Sequence, residues 1–249
     1  MRALLPISAA LVMAATHAPG DLSHHWSYGG PEGPSHWAKL DAKYRLCGSG
    51  KAQSPVDIRL KAVYKGALPE LDFEYHPAPF HITDNGHSVQ VDVEPGSALH
   101  VGMDRYELVQ FHFHHPSEEE IDGKRFEMSA HLVHKDSKGA LAVVAIPLKV
   151  GHENPLLATL WSNLPKHSDH KSVASKQPIN AADLVPGNHG YFSYTGSLTT
   201  PPCSEGVRWI VLKTPEEISK GQLDAFASRY PNDARPIQRL NGRHVIASK

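Results

Sequence analysis

Residues 110–114 read Gln110-Phe111-His112-Phe113-His114, and this alternation of aromatic and imidazole side chains suits a strand with two unlike faces. Successive strand side chains point to opposite faces, so His112 and His114 share one face while Phe111 and Phe113 share the other. Burying two imidazoles without partners is costly, and a metal ion is a partner both can share. A third histidine, His131, sits in the apolar run Met128-Ser129-Ala130-His131-Leu132-Val133. If residues 115–126 turn the chain back, His131 arrives on a neighbouring strand beside the first two. Three imidazole nitrogens and one open position make the donor set of a catalytic zinc. The chain holds 18 histidines, so most serve other ends. His115 and His134 have the wrong strand parity relative to His114 and His131 and read as structural or solvent-facing.

With 249 residues, 40% hydrophobic and 20% charged, the chain is long enough for one large domain with a full core. Its 25 basic and 26 acidic side chains leave a net charge of -1, which offers no basic field to nucleic acid or anionic lipid. The expected partner is small. Met1-Arg2 followed by the mostly apolar stretch Ala3 to Ala15, with small residues at Ala14, Ala15 and Ala18, has the form of a secretory signal peptide. Residues 1–18 are therefore expected to be that signal and 19–249 a single exported domain, periplasmic or secreted. No later segment approaches the roughly 18 apolar residues of a membrane-spanning helix. In an exported chain, the two cysteines, Cys47 and Cys203, are expected to form one disulfide.

Strand-like runs with turn signals between them cover Phe80 to Thr83, Ser88 to Val93, Tyr106 to His114, Phe126 to His134, Leu141 to Leu148 and Val207 to Leu212. Helical patterning is confined to Pro155 to Leu164 and Pro215 to Arg229. The 20 prolines and 19 glycines fit many irregular connections. These features predict a mostly β (α+β) fold: a large central, mainly antiparallel twisted sheet with short peripheral helices.

Six separated segments carry a family resemblance: His25-Trp26-Ser27-Tyr28, Gln53 to Ile58, Asn85-Gly86-His87-Ser88, Gln110 to His114, Ala130 to His134, and Gly196-Ser197-Leu198-Thr199-Thr200-Pro201-Pro202-Cys203. In order and spacing they resemble the alpha class of carbonic anhydrases, over essentially everything after the signal segment. The paired cysteines and Pro116-Ser117-Glu118 look like the secreted bacterial branch. The resemblance implies that His112, His114 and His131 bind Zn2+ and that the metal's fourth position holds water or hydroxide. Carbonic anhydrases are themselves the standard instance of zinc lowering the pKa of bound water to about 7. The implied reaction is reversible hydration of carbon dioxide to bicarbonate and a proton by that hydroxide.

The same resemblance implies roles for other residues. Glu118 accepts the Thr199 hydroxyl proton, so that Thr199 orients the hydroxide, and Thr200 adds a polar contact to bicarbonate. Val133, Val143, Leu198 and Val207 line the apolar wall for carbon dioxide. Gln110 fixes the tautomer of His112. His87 shuttles the proton to solvent, a task suited to an imidazole, with Tyr28 and Asn85 ordering the intervening water. One position departs from the family pattern: Ser129 stands where a glutamate usually hydrogen-bonds the third ligand. A hydroxyl is a weaker, uncharged acceptor, so zinc is expected to be held less firmly. Two other readings remain at this stage. A cupin would use Glu118 as a further ligand to manganese or iron, and a non-catalytic zinc-binding module would keep the fold alone. Partners beyond carbon dioxide, bicarbonate and water reduce to a second copy of the chain in a homodimer, for which no residue specifies an interface.

Overall fold

The computed structural model describes residues 25–165 and 172–249, and the expected signal peptide lies outside them. The main sheet holds 13 strands among these residues. From one edge it runs Ser172–Ile179, Ala78–Asp84, Val89–Val93, Asp104–His114, Met128–Lys135, Leu141–Val150, Glu205–Leu212, Tyr191–Ser197, Ile246–Ala247 and Tyr64–Lys65. Most neighbours are antiparallel. Leu141–Val150 is parallel to Glu205–Leu212 and to Glu216–Ile218, as is Ile246–Ala247 to Tyr64–Lys65. The helices are short, the longest being Pro155–Ser162 and Lys220–Ala227. The mostly β, mainly antiparallel architecture expected from the sequence is the one observed.

The register of the two central strands sorts side chains between the faces. His112 lies opposite His131, Phe111 opposite Leu132 and Phe113 opposite Ala130. Phe111, Phe113, Leu132, Val144 and Ile146 enter the larger apolar core on one face, while Val143, Ala145, Val207, Trp209 and Val211 form a second cluster on the other. A bulge between Leu108 and Gln110 adds one residue to the strand and exposes Val109. It reverses the parity of everything before it. Tyr106 and Leu108 therefore join Phe111 and Phe113 in the larger core, and Gln110 joins His112 on the other face.

The segment Pro215 to Arg229 differs from the single helix its pattern predicts. Glu216–Ile218 adds to the sheet beside Leu148–Val150, which keeps those backbone groups paired, and the helix starts only at Lys220. Ser219 marks that start with a capping box: its Oγ accepts from Gln222 N at 3.2 Å, and its own N donates to Gln222 Oε1 at 3.0 Å. Pro155–Ser162 begins in the expected way, with Asn154 Oδ1 accepting from Leu156 N and Leu157 N.

The connection between the central strands folds back under the sheet. Ser117 N donates to Phe126 O at 3.1 Å, Phe126 N donates to Ser117 Oγ at 2.9 Å, and Glu120–Ile121 pairs in parallel with Asp57–Ile58. This return buries Glu118 and Glu119 while leaving Glu120 partly accessible. At a second junction, a Cβ on Gly196 would come within 2.1 Å of Ser54 Oγ and 2.7 Å of Trp209 Cδ1, so the strand before Leu198 has no room for a side chain there.

Cys47 and Cys203 are disulfide-bonded and pack with Trp37 and Tyr44. The bridge closes a separation of 156 residues. Constraining so long a loop in the unfolded chain stabilises the folded state by about 2–5 kcal/mol. Reduction is expected to lower the thermal midpoint by several degrees, measured by calorimetry on samples whose thiol content is established by alkylation and mass spectrometry. An unchanged midpoint with both thiols free would remove the bridge from the stability account.

Candidate metal centre

Three imidazoles meet where the central strands cross the second apolar cluster. One possible ligand atom from each of His112, His114 and His131 lies within 4.8 Å of the others, and the ring centroids of His114 and His131 are 4.7 Å apart. Each ring already uses one nitrogen. His112 Nδ1 donates to Gln110 Oε1 at 2.9 Å, His114 Nδ1 donates to the Asp233 carbonyl at 2.8 Å, and His131 Nε2 donates to Glu119 Oε2 at 3.3 Å. The acceptors set the tautomers, leaving Nε2 of His112, Nε2 of His114 and Nδ1 of His131 as lone-pair donors. His114 Nε2 is buried without a hydrogen-bond partner among the described residues. Trp209 closes the floor with its ring edge-on to His131, the centroids 5.0 Å apart.

Protonation at His112 agrees with metal binding. Burial, reinforced by the neighbouring imidazoles of His114 and His131, holds His112 well below the ordinary histidine range. It is therefore neutral at pH 7, the form that coordinates a cation. For His114, burial acts in the same direction but is outweighed by the Glu118 and Asp233 carboxylates, which raise it. A divalent cation fits this set: three nitrogen donors, a negative surround, and one ring nitrogen with no other use.

The structure places the remaining residues singled out in the sequence as follows. Glu118 is fully buried; its Oε1 accepts from Arg235 N at 2.8 Å. Its Oε2 has no hydrogen bond and lies 3.6 Å from His114 Nε2 and 3.8 Å from His131 Nδ1. No hydrogen bond joins Glu118 to Thr199 among the described residues, although Thr199 is itself buried in the adjoining turn. That turn is held by Leu198 N donating to Ser204 O and Cys203 N donating to Thr200 O, each at 2.9 Å. Val133, Val143, Leu198 and Val207 fall in one cluster beside the triad. The ring of His87 stacks on Trp26 at 3.7 Å between centroids and 8° between planes. Asn85 Oδ1 is committed to the turn, accepting from His87 N and Ser88 N. The Tyr28 hydroxyl is buried without a hydrogen-bond partner among the described residues, and burial, then the charge of Glu118, pushes its pKa well above the usual tyrosine value.

Ser129 does not take the part of the missing glutamate. Its Oγ is buried without a hydrogen-bond partner among the described residues, and the third ligand's outer nitrogen reaches Glu119 instead. The expectation of a weak, uncharged acceptor at His131 is corrected accordingly. His115 and His134 both lie away from the triad: His115 Nδ1 donates to the Glu127 carbonyl, and His134 Nε2 pairs with the Tyr75 hydroxyl in the larger core. Glu119, Asp233, Arg235 and Trp209 are site residues that the sequence patterns do not mark. Asp233 and Arg235 lie in an irregular segment without periodicity. Glu119 had one available signal, an acidic triplet in a chain that lacks the carboxylate at 129.

Residues 32–249 match the family described as eukaryotic-type carbonic anhydrase. The carbonic anhydrase of Nostoc sp. is 42% identical over 225 residues, covering 89% of this chain and 85% of its own. That of Pectobacterium atrosepticum is 42% identical over 239 residues, covering 96% of this chain and 97% of its own. The solved alpha-carbonic anhydrase of Thermovibrio ammonificans, in complex with the inhibitor sulfanilamide, superposes with a TM-score of 0.87 at 40% identity, covering 90% of this chain and 99% of that one. These matches leave no place for a cupin. Glu118 also stands outside the three-residue ligand group.

The geometry makes a sharp distinction between adjacent histidines. His114→Ala is expected to abolish stoichiometric zinc, a larger loss than the roughly 10- to 100-fold that removing an outer hydrogen-bond partner costs. His115→Ala should retain zinc, because its backbone contact to Asp233 Oδ1 survives the substitution. Metal analysis of the two purified variants decides; equal loss in both would overturn the strand register.

Proposed function

This chain belongs to the alpha, or eukaryotic-type, carbonic anhydrases, zinc enzymes that interconvert carbon dioxide and bicarbonate, and on that premise we propose how its own residues divide the work. The observation that carries the reading is the triad itself, in which three outer nitrogens are occupied and three inner ones converge. Zinc held there supplies, as is known for carbonic anhydrases, a water acidic enough to yield a nucleophile at neutral pH.

Glu118 accepts the Thr199 hydroxyl proton, which turns the Thr199 oxygen into an acceptor and aims the nucleophile's lone pair at the substrate. In support, Glu118 is anchored through one oxygen by Arg235 N and keeps a buried second oxygen without a donor. Val133, Val143, Leu198 and Val207 hold carbon dioxide by apolar contact alone, since the molecule offers little else, and Thr200 contacts bicarbonate. Gln110 keeps His112 in its ligating tautomer. His87 carries the proton outward, with Tyr28 and Asn85 ordering the water between; its stacking on Trp26 gives it a resting place at the partly exposed rim. All these residues come from one chain, so a homodimer would carry two independent sites. We further propose that residues 1–18 direct export of the domain 19–249 to the periplasm or beyond, a reading supported by the disulfide.

Stopped-flow carbon dioxide hydration with parallel metal analysis tests the whole reading. Activity should follow zinc content, vanish on chelation and return with zinc; zinc-loaded protein without hydration activity would defeat it. His87→Ala is expected to lower maximal turnover in weak buffer on the order of 100-fold, a typical worth for a positioned proton carrier, while leaving kcat/KM nearly intact. Added imidazole should restore the rate. A variant indifferent to buffer would assign proton transfer elsewhere.

A further inference from the structure

The outer nitrogen of the third ligand is met by a carboxylate from the return loop, not from its own strand. His131 and Ser129 share a strand face, and the register sets Ser129 opposite His114 on one side and Pro147 on the other. Glu119 enters the same space from the return loop, its Oε2 accepting from His131 Nε2 at 3.3 Å. Both side chains are at least nine-tenths buried, Ser129 at 1% and Glu119 at 5% exposure. The loop is fixed where this requires it: Ser117 Oγ donates to the Glu119 carbonyl at 3.0 Å, and the next residues pair with Asp57–Ile58. Glu119, Ser129, Phe126, Pro147 and Val211 line one cavity of about 10 Å³, at the lower limit for a single water.

These facts belong together. A long side chain at position 129 would fill the space that the Glu119 carboxylate now occupies, so the serine is the condition for Glu119 to reach the ligand. We infer that Glu119 is the positioning residue of His131 in the zinc site and that Ser129 and Glu119 form an exchange pair, a carboxylate at one position requiring a small residue at the other. The inference rests on the zinc reading above. A carboxylate accepting from the outer nitrogen holds the ring's tautomer and orientation and raises its basicity as a ligand. With serine at 129, His131 still has a carboxylate acceptor.

The test compares zinc release to a chelator, measured optically on fully loaded protein, in the parent, Glu119→Ala, Glu119→Gln, Ser129→Glu and the double variant Glu119→Ala/Ser129→Glu. Glu119→Ala should release zinc about 10- to 100-fold faster, and Glu119→Gln, with a neutral acceptor of the same shape, should fall between it and the parent. Ser129→Glu alone should also release zinc faster than the parent, because two carboxylates compete for one cavity. The double variant should return to within about threefold of the parent. The thermal midpoint of metal-free protein separates positioning from a merely structural role: it should not fall in Glu119→Ala, which removes a buried charge from the empty site. Parental release rates in both Glu119 variants would overturn the inference, as would faster release matched by a lower metal-free midpoint. If the double variant does not fold, the Glu119→Gln rate and midpoint decide alone. A parent that takes up no zinc would instead defeat the metal reading itself, so the two failures are distinguishable.

Discussion

The antiparallel register that sets His112 against His131 is the constraint on which the rest of this molecule depends. A slip of one residue would turn every side chain of Met128–Lys135 to the other face, sending His131 into the larger core and Leu132 into the site. Several devices oppose that slip. Phe111 and Phe113 are completely buried on the opposite face, so the apolar pattern pays a penalty for any shift. Leu141–Val150 pairs along the whole outer edge of the same strand, matching Ala145 to His131 and Val143 to Val133. The bulge before Gln110 lets the strand keep Tyr106 and Leu108 in the core while presenting Gln110 to His112.

Each ligand is then steadied from a different part of the chain. His112 relies on its own strand through Gln110, His114 on the C-terminal segment through the Asp233 carbonyl, and His131 on the return loop through Glu119. Arg235 ties these parts together. Its N binds Glu118 Oε1, its Nη1 donates to the Ser54 carbonyl at 2.7 Å, and its Nη2 donates to the Cys47 carbonyl at 3.0 Å. Burial lowers its pKa to about 10, which still leaves it charged at neutral pH and able to balance the Glu118 carboxylate. Arg235 thus links the disulfide side of the molecule to the metal side by hydrogen bonds.

The sequence makes the ligands legible because period-two alternation is a local rule: His112, His114 and the apolar surroundings of His131 need no long-range information. The sheet was legible for the same reason in its central strands, whereas Ala98–Val101 and Tyr191–Ser197, although largely buried, are not among the runs that read as strands. Ser172–Ile179, an exposed edge strand without apolar alternation, leaves no such mark, and Glu216–Ile218 reads as helix because only its pairing with Leu148–Val150 makes it a strand. The outer partners are long-range. Nothing near Glu119 in the chain marks it as the partner of His131; the loop's pairing with Asp57–Ile58 and the serine at 129 do, and both lie elsewhere in the sequence.

Among the described residues, most buried polar atoms without hydrogen-bond partners gather at one place, with Gln53 Oε1 and His134 Nδ1 standing apart from it. Tyr28 OH, His114 Nε2, Glu118 Oε2, Glu119 Oε1, Ser129 Oγ and Asp233 Oδ2 all belong to the triad or its surroundings. Each such group costs roughly 1–3 kcal/mol when nothing satisfies it, so packing alone does not favour collecting them. Burial pushes the Asp233 carboxyl up to about 7, a further sign of charge gathered against the local dielectric. Elsewhere most buried side chains are apolar, and buried polar ones such as Gln222 and Asn154 bond to each other and to the backbone. A concentration of buried polar atoms without hydrogen-bond partners at one place is the arrangement that a bound cation stabilises. A cation on the three inner nitrogens converts the unfavourable concentration of lone pairs and carboxylates into a favourable one, which couples metal occupancy to the stability of the sheet around it.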